Sequence, residues 1–167
     1  VKETNTAATG WTLDTAVKNI SVTVKDNGDG TMSATVTTAA ISNSYKAGEI
    51  TVDPTATATK FANKNVSGTG FNAKDFTFKL AAVTSGAPMP TSGTTVTIGK
   101  TTPDLTATFG SIAYDQDDAG KTYEYTITET NGGKTGMSYA DPITATGTVS
   151  DDGQGTLTAT VNYPQGQ

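Results

Sequence analysis

The sequence contains no cysteine, no histidine and no arginine among its 167 residues. The lack of cysteine excludes disulfides and thiol nucleophiles, and the additional lack of histidine excludes the usual zinc sites. No imidazole is available as a general base. Because 11 lysines stand against 16 acidic residues, the net charge is −5. The chain therefore lacks the basic patches with which proteins bind the phosphates of nucleic acids.

Long apolar stretches are also missing. No apolar run approaches the roughly 18 residues of a membrane span, and no signal peptide is recognisable. Hydrophobic residues make up 34% and charged residues 16% of the chain, whereas threonine occurs 36 times and glycine 18 times. This composition favours strands and turns over helices. Because the chain begins inside a strand-like pattern, we expect it to be a segment of a longer protein.

Apolar and polar residues alternate along most of the chain, which is typical of half-buried antiparallel strands. The clearest such segments are 75–81, 122–129 and 155–161. Acidic, glycine-rich segments at 26–30 and 151–155 supply turn residues that tolerate positive φ. No stretch of ten or more residues shows the spacing of apolar residues that is typical of a helix. We therefore predict an all-β fold of many short strands.

The chain contains an internal repeat, in which segments recur after 125 or 126 residues. The recurring pairs are 1–5 with 127–131, 26–30 with 151–155, and 31–36 with 156–161. We therefore predict two copies of one domain. Residues 1–49 would be the C-terminal part of one β-sandwich repeat, and residues 50–167 the next repeat without its final strand. Residues 46–49 are predicted to form a short, stiff connection.

Three motifs follow one another along the chain. Lys64 precedes a glycine-containing spacer and an aromatic strand, the alternating tyrosines of 123–129 end on a glutamate, and Asn43 stands beside Tyr45 after an Asp/Gly-rich turn and an alternating strand. Together they resemble the repeating domains of Gram-positive pilins and adhesins, specifically the streptococcal-type pilin isopeptide-linkage domain. The resemblance covers nearly the whole chain. It implies Ig-like or CnaB-like antiparallel β-sandwich domains in tandem.

The resemblance also implies a spontaneous lysine–asparagine isopeptide bond inside each domain. It assigns the cross-link to Lys64 and Asn43, and the role of promoting acid to Glu129 and, through the repeat, to Glu3. A lysine amine is nucleophilic only when neutral, and apolar burial can lower its pKa by up to about 3–5 units. A buried, protonated carboxylic acid can polarise the amide and pass protons to the departing ammonia. The reaction needs no cofactor and no metal.

Other interpretations stay open for these residues. Lys64 also fits a solvated loop, Glu129 a solvent-facing position past the end of a strand, and Asn43 a turn cap. The acidic cluster 115–118 suggests calcium, although a solvated loop is its ordinary interpretation. The single tryptophan, Trp11, suits core packing better than carbohydrate binding.

The sequence therefore predicts a structural segment of a bacterial surface fibre, a pilin or adhesin stalk, and no turnover enzyme. The expected location is the cell wall or pilus, and the expected partners are neighbouring copies in a head-to-tail filament. The alternative is a host- or glycan-binding adhesive module that uses segment 81–104 as a loop without periodicity for the core. We also predict that strand 41–45 complements another copy. Asn43 would then lie near that copy's Lys64 and Glu129.

Overall fold

The computed structural model describes residues 1–52, 62–63, 76–98 and 106–162. Strands dominate this part of the chain, and its only helical element is a 3-10 turn at Gln116–Asp118. The predicted all-β fold is confirmed. The strands are β1 (Trp11–Thr12), β2 (Val22–Asp26), β3 (Met32–Val36), β4 (Ser44–Tyr45), β5 (Ile50–Val52), β6 (Ala62–Asn63), β7 (Thr77–Ala82), β8 (Thr95–Thr97), β9 (Thr106–Ala107), β10 (Ile112–Tyr114), β11 (Thr122–Glu129), β12 (Ile143–Asp151) and β13 (Leu157–Asn162).

The largest sheet is antiparallel and has five strands in the order β13–β12–β11–β7–β8. The alternating segments of the sequence form its strands β7, β11 and β13, as the period of two predicts. In β11, the side chains of Tyr123, Tyr125 and Ile127 are buried while Glu124 and Thr128 are exposed. One face of this sheet therefore carries the core and the other faces solvent.

The antiparallel pair of β5 and β10 contributes further to the same core. Tyr114 of β10 stacks on Tyr123 with ring centroids 5.9 Å apart, and its hydroxyl lies 2.9 Å from that of Tyr125. These contacts join the strand pair to the five-stranded sheet. The buried core residues are Ala47, Val52, Phe76, Phe78, Leu80, Ile98, Phe109, Ile112, Tyr114, Tyr123, Tyr125, Ile127, Ala145, Val149 and Leu157.

Residues 1–49 form two small strand pairs of their own. β1 pairs with β4, and β2 pairs with β3 through the turn at 26–30. The β2–β3 hairpin has the register of the β12–β13 hairpin, because Val22 faces Val36 as Gly147 faces Val161. The repeat seen in the sequence is thus also a repeat of local structure.

Two sequence-based interpretations need correction. Trp11 is not a core residue: its side chain is 43% exposed, because β1 pairs only with β4 and no second layer covers this pair within the described residues. Segment 81–104 is not simply a loop, because its described residues include β8 and the buried Ile98. The carbonyl of Pro88 also accepts a hydrogen bond from the Tyr125 hydroxyl at 3.0 Å. Pairing with β7 gives this segment a place in the sheet that its weak alternation did not indicate.

Candidate functional site

The predicted acid Glu3 and the predicted cross-linking residue Asn43 are in contact. Asn43 directly precedes β4, and the pairing of β4 with β1 brings it back to the beginning of the chain. Its Nδ2 donates a hydrogen bond to Glu3 Oε1 at 3.3 Å. The other carboxylate oxygen, Glu3 Oε2, is covered by protein and has no hydrogen-bond partner among the described residues. An acid and an asparagine thus meet across 40 residues of chain.

The carbonyl of the same asparagine is held by the backbone of Asp14, whose N–H donates to Asn43 Oδ1 at 3.0 Å. The Asp14 carboxylate is itself fixed by an ion pair with Lys18 at 2.7 Å and by the N–H groups of Ala16 and Ser42. The hydrogen bond from Lys18, followed by that from the Ala16 N–H, lowers the pKa of Asp14 below its ordinary value. The Asn43 side-chain amide is therefore hydrogen-bonded at both its nitrogen and its oxygen.

Glu129 is the equivalent of Glu3 in the sequence repeat. It is the last residue of β11, faces Phe78 of β7 in the sheet register, and is only 6% exposed. Its Oε2 accepts a hydrogen bond from the Ala140 N–H at 2.7 Å. Burial of a carboxylate is costly unless hydrogen bonds compensate it, and the Ala140 N–H supplies one such bond. Glu129 thus lies within the strand and points into the domain.

Lys64, the predicted cross-linking lysine, lies outside the described residues. Among the four predicted site residues, the structure therefore brings together Glu3 and Asn43, and it places Glu129 apart from them at the end of β11. The predicted approach of Asn43 to Lys64 and Glu129 of another copy stays a prediction.

A contact that the sequence did not reveal joins the two parts of the chain through Tyr45. The Tyr45 hydroxyl donates to Asp151 Oδ1 at 2.7 Å and accepts from the Gly155 N–H at 2.9 Å. Its ring also lies against that of Trp11, with centroids 5.3 Å apart. We call the two hydrogen bonds to Asp151 and Gly155 the tyrosine joint.

The tyrosine joint shifts the pKa values of both partners. Removal from water and the hydrogen bond to Asp151 raise the pKa of the Tyr45 hydroxyl above its ordinary value. The hydrogen bond from Tyr45, followed by that from the Gly153 N–H, lowers the pKa of the Asp151 carboxyl. Both shifts favour the pair with a protonated tyrosine and an ionised aspartate. A hydrogen bond to a charged acceptor is stronger than one between neutral groups.

The connection between the two parts of the chain is tied down by three successive backbone N–H groups. Ala47, in its middle, is 2% exposed. A connection that is hydrogen-bonded at three successive residues and buried at Ala47 cannot act as a free linker. The three bonds run from Lys46 N–H to Gly10 O at 2.8 Å, from Ala47 N–H to Gln116 Oε1 at 2.5 Å, and from Gly48 N–H to Gly155 O at 3.0 Å.

The acidic cluster 115–118 uses its carboxylates to fix its own turn. The Asp115 side chain accepts from the Asp117 N–H at 2.8 Å, and Asp118 Oδ2 accepts from the Asp115 N–H at 2.9 Å. Asp118 Oδ1 accepts from the Tyr123 hydroxyl, and burial together with this bond raises the pKa of Tyr123 to about 12. Over the described residues, no group of three or more acidic side chains is arranged to hold a metal ion.

Comparison with known proteins identifies a family for the chain. The sequence model of the FctA family, whose description is Spy0128-like isopeptide containing domain, matches residues 1–64 and residues 57–167. The resemblance to a streptococcal-type pilin isopeptide domain is confirmed. No curated protein and no solved structure matches the chain. The described residues contain no helix with the length and apolarity that crossing a membrane requires.

Proposed function

We propose, since the chain belongs to the FctA family of Spy0128-like isopeptide containing domains, that it is a structural segment of a bacterial surface fibre built from tandem copies of one β-sandwich. Residues 1–49 close one copy and residues 50–167 form most of the next. The observation that carries this proposal is the contact of Glu3 with Asn43. An acid and an amide held together inside a pilin-type domain are two of the three groups that an isopeptide bond requires.

The geometry supports a specific course for the bond-forming step. A neutral lysine amine attacks the Asn43 side-chain carbonyl carbon, whose oxygen is polarised by the Asp14 N–H. A new carbon–nitrogen bond forms, the bond from that carbon to Nδ2 breaks, and ammonia leaves. Glu3 transfers one proton from the lysine nitrogen to the departing Nδ2, which already contacts Oε1. Glu3 Oε2 has no hydrogen-bond partner among the described residues, and it is the oxygen that would accept the proton of the incoming amine.

In the second copy, Lys64 and Glu129 would be the corresponding pair. Glu129 is buried at the end of β11, beside β7, the strand that follows the lysine motif in the chain. By the repeat offset of 125 or 126 residues, the position equivalent to Asn43 would be 168 or 169. Each copy would thus take its lysine from the early strands and its acid and asparagine from the late strands. The bond would tie the two ends of a domain together.

Strand exchange between subunits would have to respect the contacts of Asn43. If strand 41–45 alone left to complete another copy, the bonds of Asn43 to Glu3 and Asp14 would be lost. We therefore propose that residues 1–49 act as one unit, and that this unit pairs with lysine-bearing strands equivalent to 50–126 of another copy. The partner is a neighbouring copy of the same repeat in a head-to-tail arrangement.

The test is a duplicated chain in which residues 1–126, the leading segment, are placed directly before residues 1–167, the trailing segment. The repeat spacing keeps this fusion in register. It creates one complete domain that contains Lys64 of the leading segment with Glu3 and Asn43 of the trailing segment. We expect the intact mass of the folded duplicated chain to be one ammonia below the mass calculated from its sequence.

Two variants of the duplicated chain are matched to this test. Lys64→Arg in the leading segment and Glu3→Gln in the trailing segment should both restore the full mass while the chain still folds. As a control, Lys79→Arg in the leading segment, at an exposed lysine, should leave the loss of one ammonia unchanged. Full mass in a folded, unsubstituted duplicated chain would contradict the assignment of the cross-link.

A further inference from the structure

The turn Asp26–Gly30 has the backbone conformation of the turn Asp151–Gly155. In each, the first aspartate accepts a hydrogen bond from the N–H of the central glycine at 2.8 Å. In each, the second residue donates its N–H to the carbonyl of the threonine after the turn, at 3.0 Å and 3.1 Å. The glycines also match, with φ of 77° and 84° in the first turn and 70° and 91° in the second.

The second of these turns is occupied. Asp151 and Gly155 bind the hydroxyl of Tyr45, and the surrounding backbones approach so closely that a Cβ on Gly155 would lie 2.7 Å from the Thr9 side chain. Gly10 packs against the same place, since a Cβ there would lie 2.9 Å from Gly155 Cα. This turn is therefore shaped to bind Tyr45 of β4.

The first turn is exposed, and Asp26 and Gly30, the equivalents of Asp151 and Gly155, are accessible to solvent. A Cβ on Gly28 or Gly30 would meet nothing within 4 Å, and no tyrosine hydroxyl among the described residues bonds to Asp26 or Gly30. The two turns differ at their second and fourth residues. Three of these four side chains bond locally: the Asn27 Nδ2 donates to Thr31 Oγ1, Asp29 accepts from the Thr31 N–H, and Asp152 accepts from the Thr156 N–H. The atoms that bind tyrosine in the second turn are therefore all present in the first.

We propose that the turn Asp26–Gly30 is the docking site for the closing tyrosine, the residue equivalent to Tyr45, of another copy of this repeat. The inference rests on the tandem arrangement proposed above. Gly136, the repeat equivalent of Gly10, has the same φ of 82°, and a Cβ there would meet nothing within 4 Å. The chain thus contains one formed contact, between Gly10 and the turn Asp151–Gly155. The equivalents of its two sides, Gly136 and the turn Asp26–Gly30, have no such contact among the described residues. Such a heterologous contact propagates along a filament.

The duplicated chain also tests this docking, through amide hydrogen exchange. The closing tyrosine of the leading segment should bind the turn 26–30 of the trailing segment. We expect the trailing Gly30 N–H to exchange at least about fivefold more slowly than in the 167-residue chain, because it gains a hydrogen bond. Tyr45→Phe in the leading segment should remove this protection. The trailing Gly155, protected by the other Tyr45, is the internal control.

An equal exchange rate of Gly30 in the duplicated and single chains would overturn the proposal. This failure is distinguishable from a failure of the proposed function, which is judged by the mass. Loss of ammonia without protection of Gly30 would remove the docking site and leave the isopeptide intact. Protection of Gly30 at full mass would do the reverse.

A second test needs only the 167-residue chain. The double substitution Asp152→Asn and Gln154→Asp gives the second turn the sequence of the first. If the first turn is a tyrosine receptor, Gly155 should keep its slow exchange in this variant and lose it on the further change Tyr45→Phe. Fast exchange of Gly155 in the double variant, equal to that caused by Tyr45→Phe alone, would show that the first turn cannot bind the tyrosine.

Discussion

The hairpins β2–β3 and β12–β13 have the same strand register and the same turn, yet their surroundings differ completely. Met32 of the first is 70% exposed, whereas its repeat equivalent Leu157 is 3% exposed. Val24 and its equivalent Val149 differ in the same way, at 55% and 1%. The β12–β13 hairpin pairs with β11 in the five-stranded sheet, and its apolar side chains pack in the core. Within the described residues, the β2–β3 hairpin pairs with no third strand and contributes no residue to the core.

This difference separates what a hairpin sequence encodes from what its neighbours supply. Alternating side chains and a turn rich in glycine and aspartate are enough to define the paired strands and their register. Burial, which provides most of the stabilising free energy, depends on strands far away in the chain. The apolar residues on the first hairpin therefore mark the face against which the early strands of a domain should pack.

The largest expected effect is a contrast between equivalent positions. Leu157→Ala should lower the free energy of unfolding by about 2–5 kcal/mol, because it leaves a cavity in a packed core. Met32→Ala in the same chain should change it by no more than about 0.5 kcal/mol, because the side chain is already in water. Urea unfolding followed by far-ultraviolet circular dichroism measures both.

The duplicated chain sharpens this contrast. In its trailing segment Met32 should become buried, so that Met32→Ala there should cost about as much as a core deletion. A cost that stays near zero would mean that residues 50–126 do not cover this hairpin.

A smaller effect should separate the unfolding of the two parts of the 167-residue chain. Trp11 is the only tryptophan and belongs to the part with little core. The tyrosines Tyr114, Tyr123 and Tyr125 belong to the buried core of the other part. We expect tryptophan fluorescence to change at a lower urea concentration than the near-ultraviolet circular dichroism of the tyrosines. Coincident transitions would show that the two parts unfold as one cooperative unit.

The smallest predicted effect concerns pH at the tyrosine joint. The folded pKa of Asp151 lies below its ordinary value of 3.8, so its contribution is present above that pH and is lost as pH falls through the folded pKa. The folded pKa of Tyr45 lies above 10.0, so its contribution is present below that pH and is lost as pH rises through the folded value. The Gly155 amide chemical shift should therefore be constant at intermediate pH and change at both extremes.

Tyr45→Phe provides the control for the pH experiment. In this variant the alkaline change of the Gly155 shift should vanish, and the acidic change should move upward toward the ordinary pKa of an aspartate. Identical profiles for the two chains would mean that Asp151 and Tyr45 titrate independently.

Much of the fold could be predicted from the sequence, because period-two alternation and glycine turns are local signals. Strands β7, β11 and β13 and both acidic turns follow from them directly. The positions of β8 and of Trp11 could not be predicted in this way. A short threonine-rich strand has little alternation of its own, and the exposure of a large aromatic side chain depends on whether a second layer covers it.

The candidate site was predictable only as far as residue type carries its chemistry. Glu3 and Asn43 were found through the repeat and the family motif, and the structure shows them in contact. The Asp14 N–H that donates to the asparagine carbonyl is a backbone group, and its role could not be predicted because every residue except proline has such a group. The partner of Tyr45 lies 106 residues away, and only tertiary packing brings Asp151 to it.

The hydrogen-bonded connection at 46–49, which is buried at Ala47, would also set how the length of the proposed fibre grows. A flexible linker lets successive domains point in independent directions, and the end-to-end distance then rises with the square root of their number. Here the connection is fixed at three successive residues, and the tyrosine joint adds a further fixed point beside it. A shaft assembled from such joints has correlated orientations over many repeats. In the proposed fibre, the end-to-end length would therefore rise in direct proportion to the number of repeats.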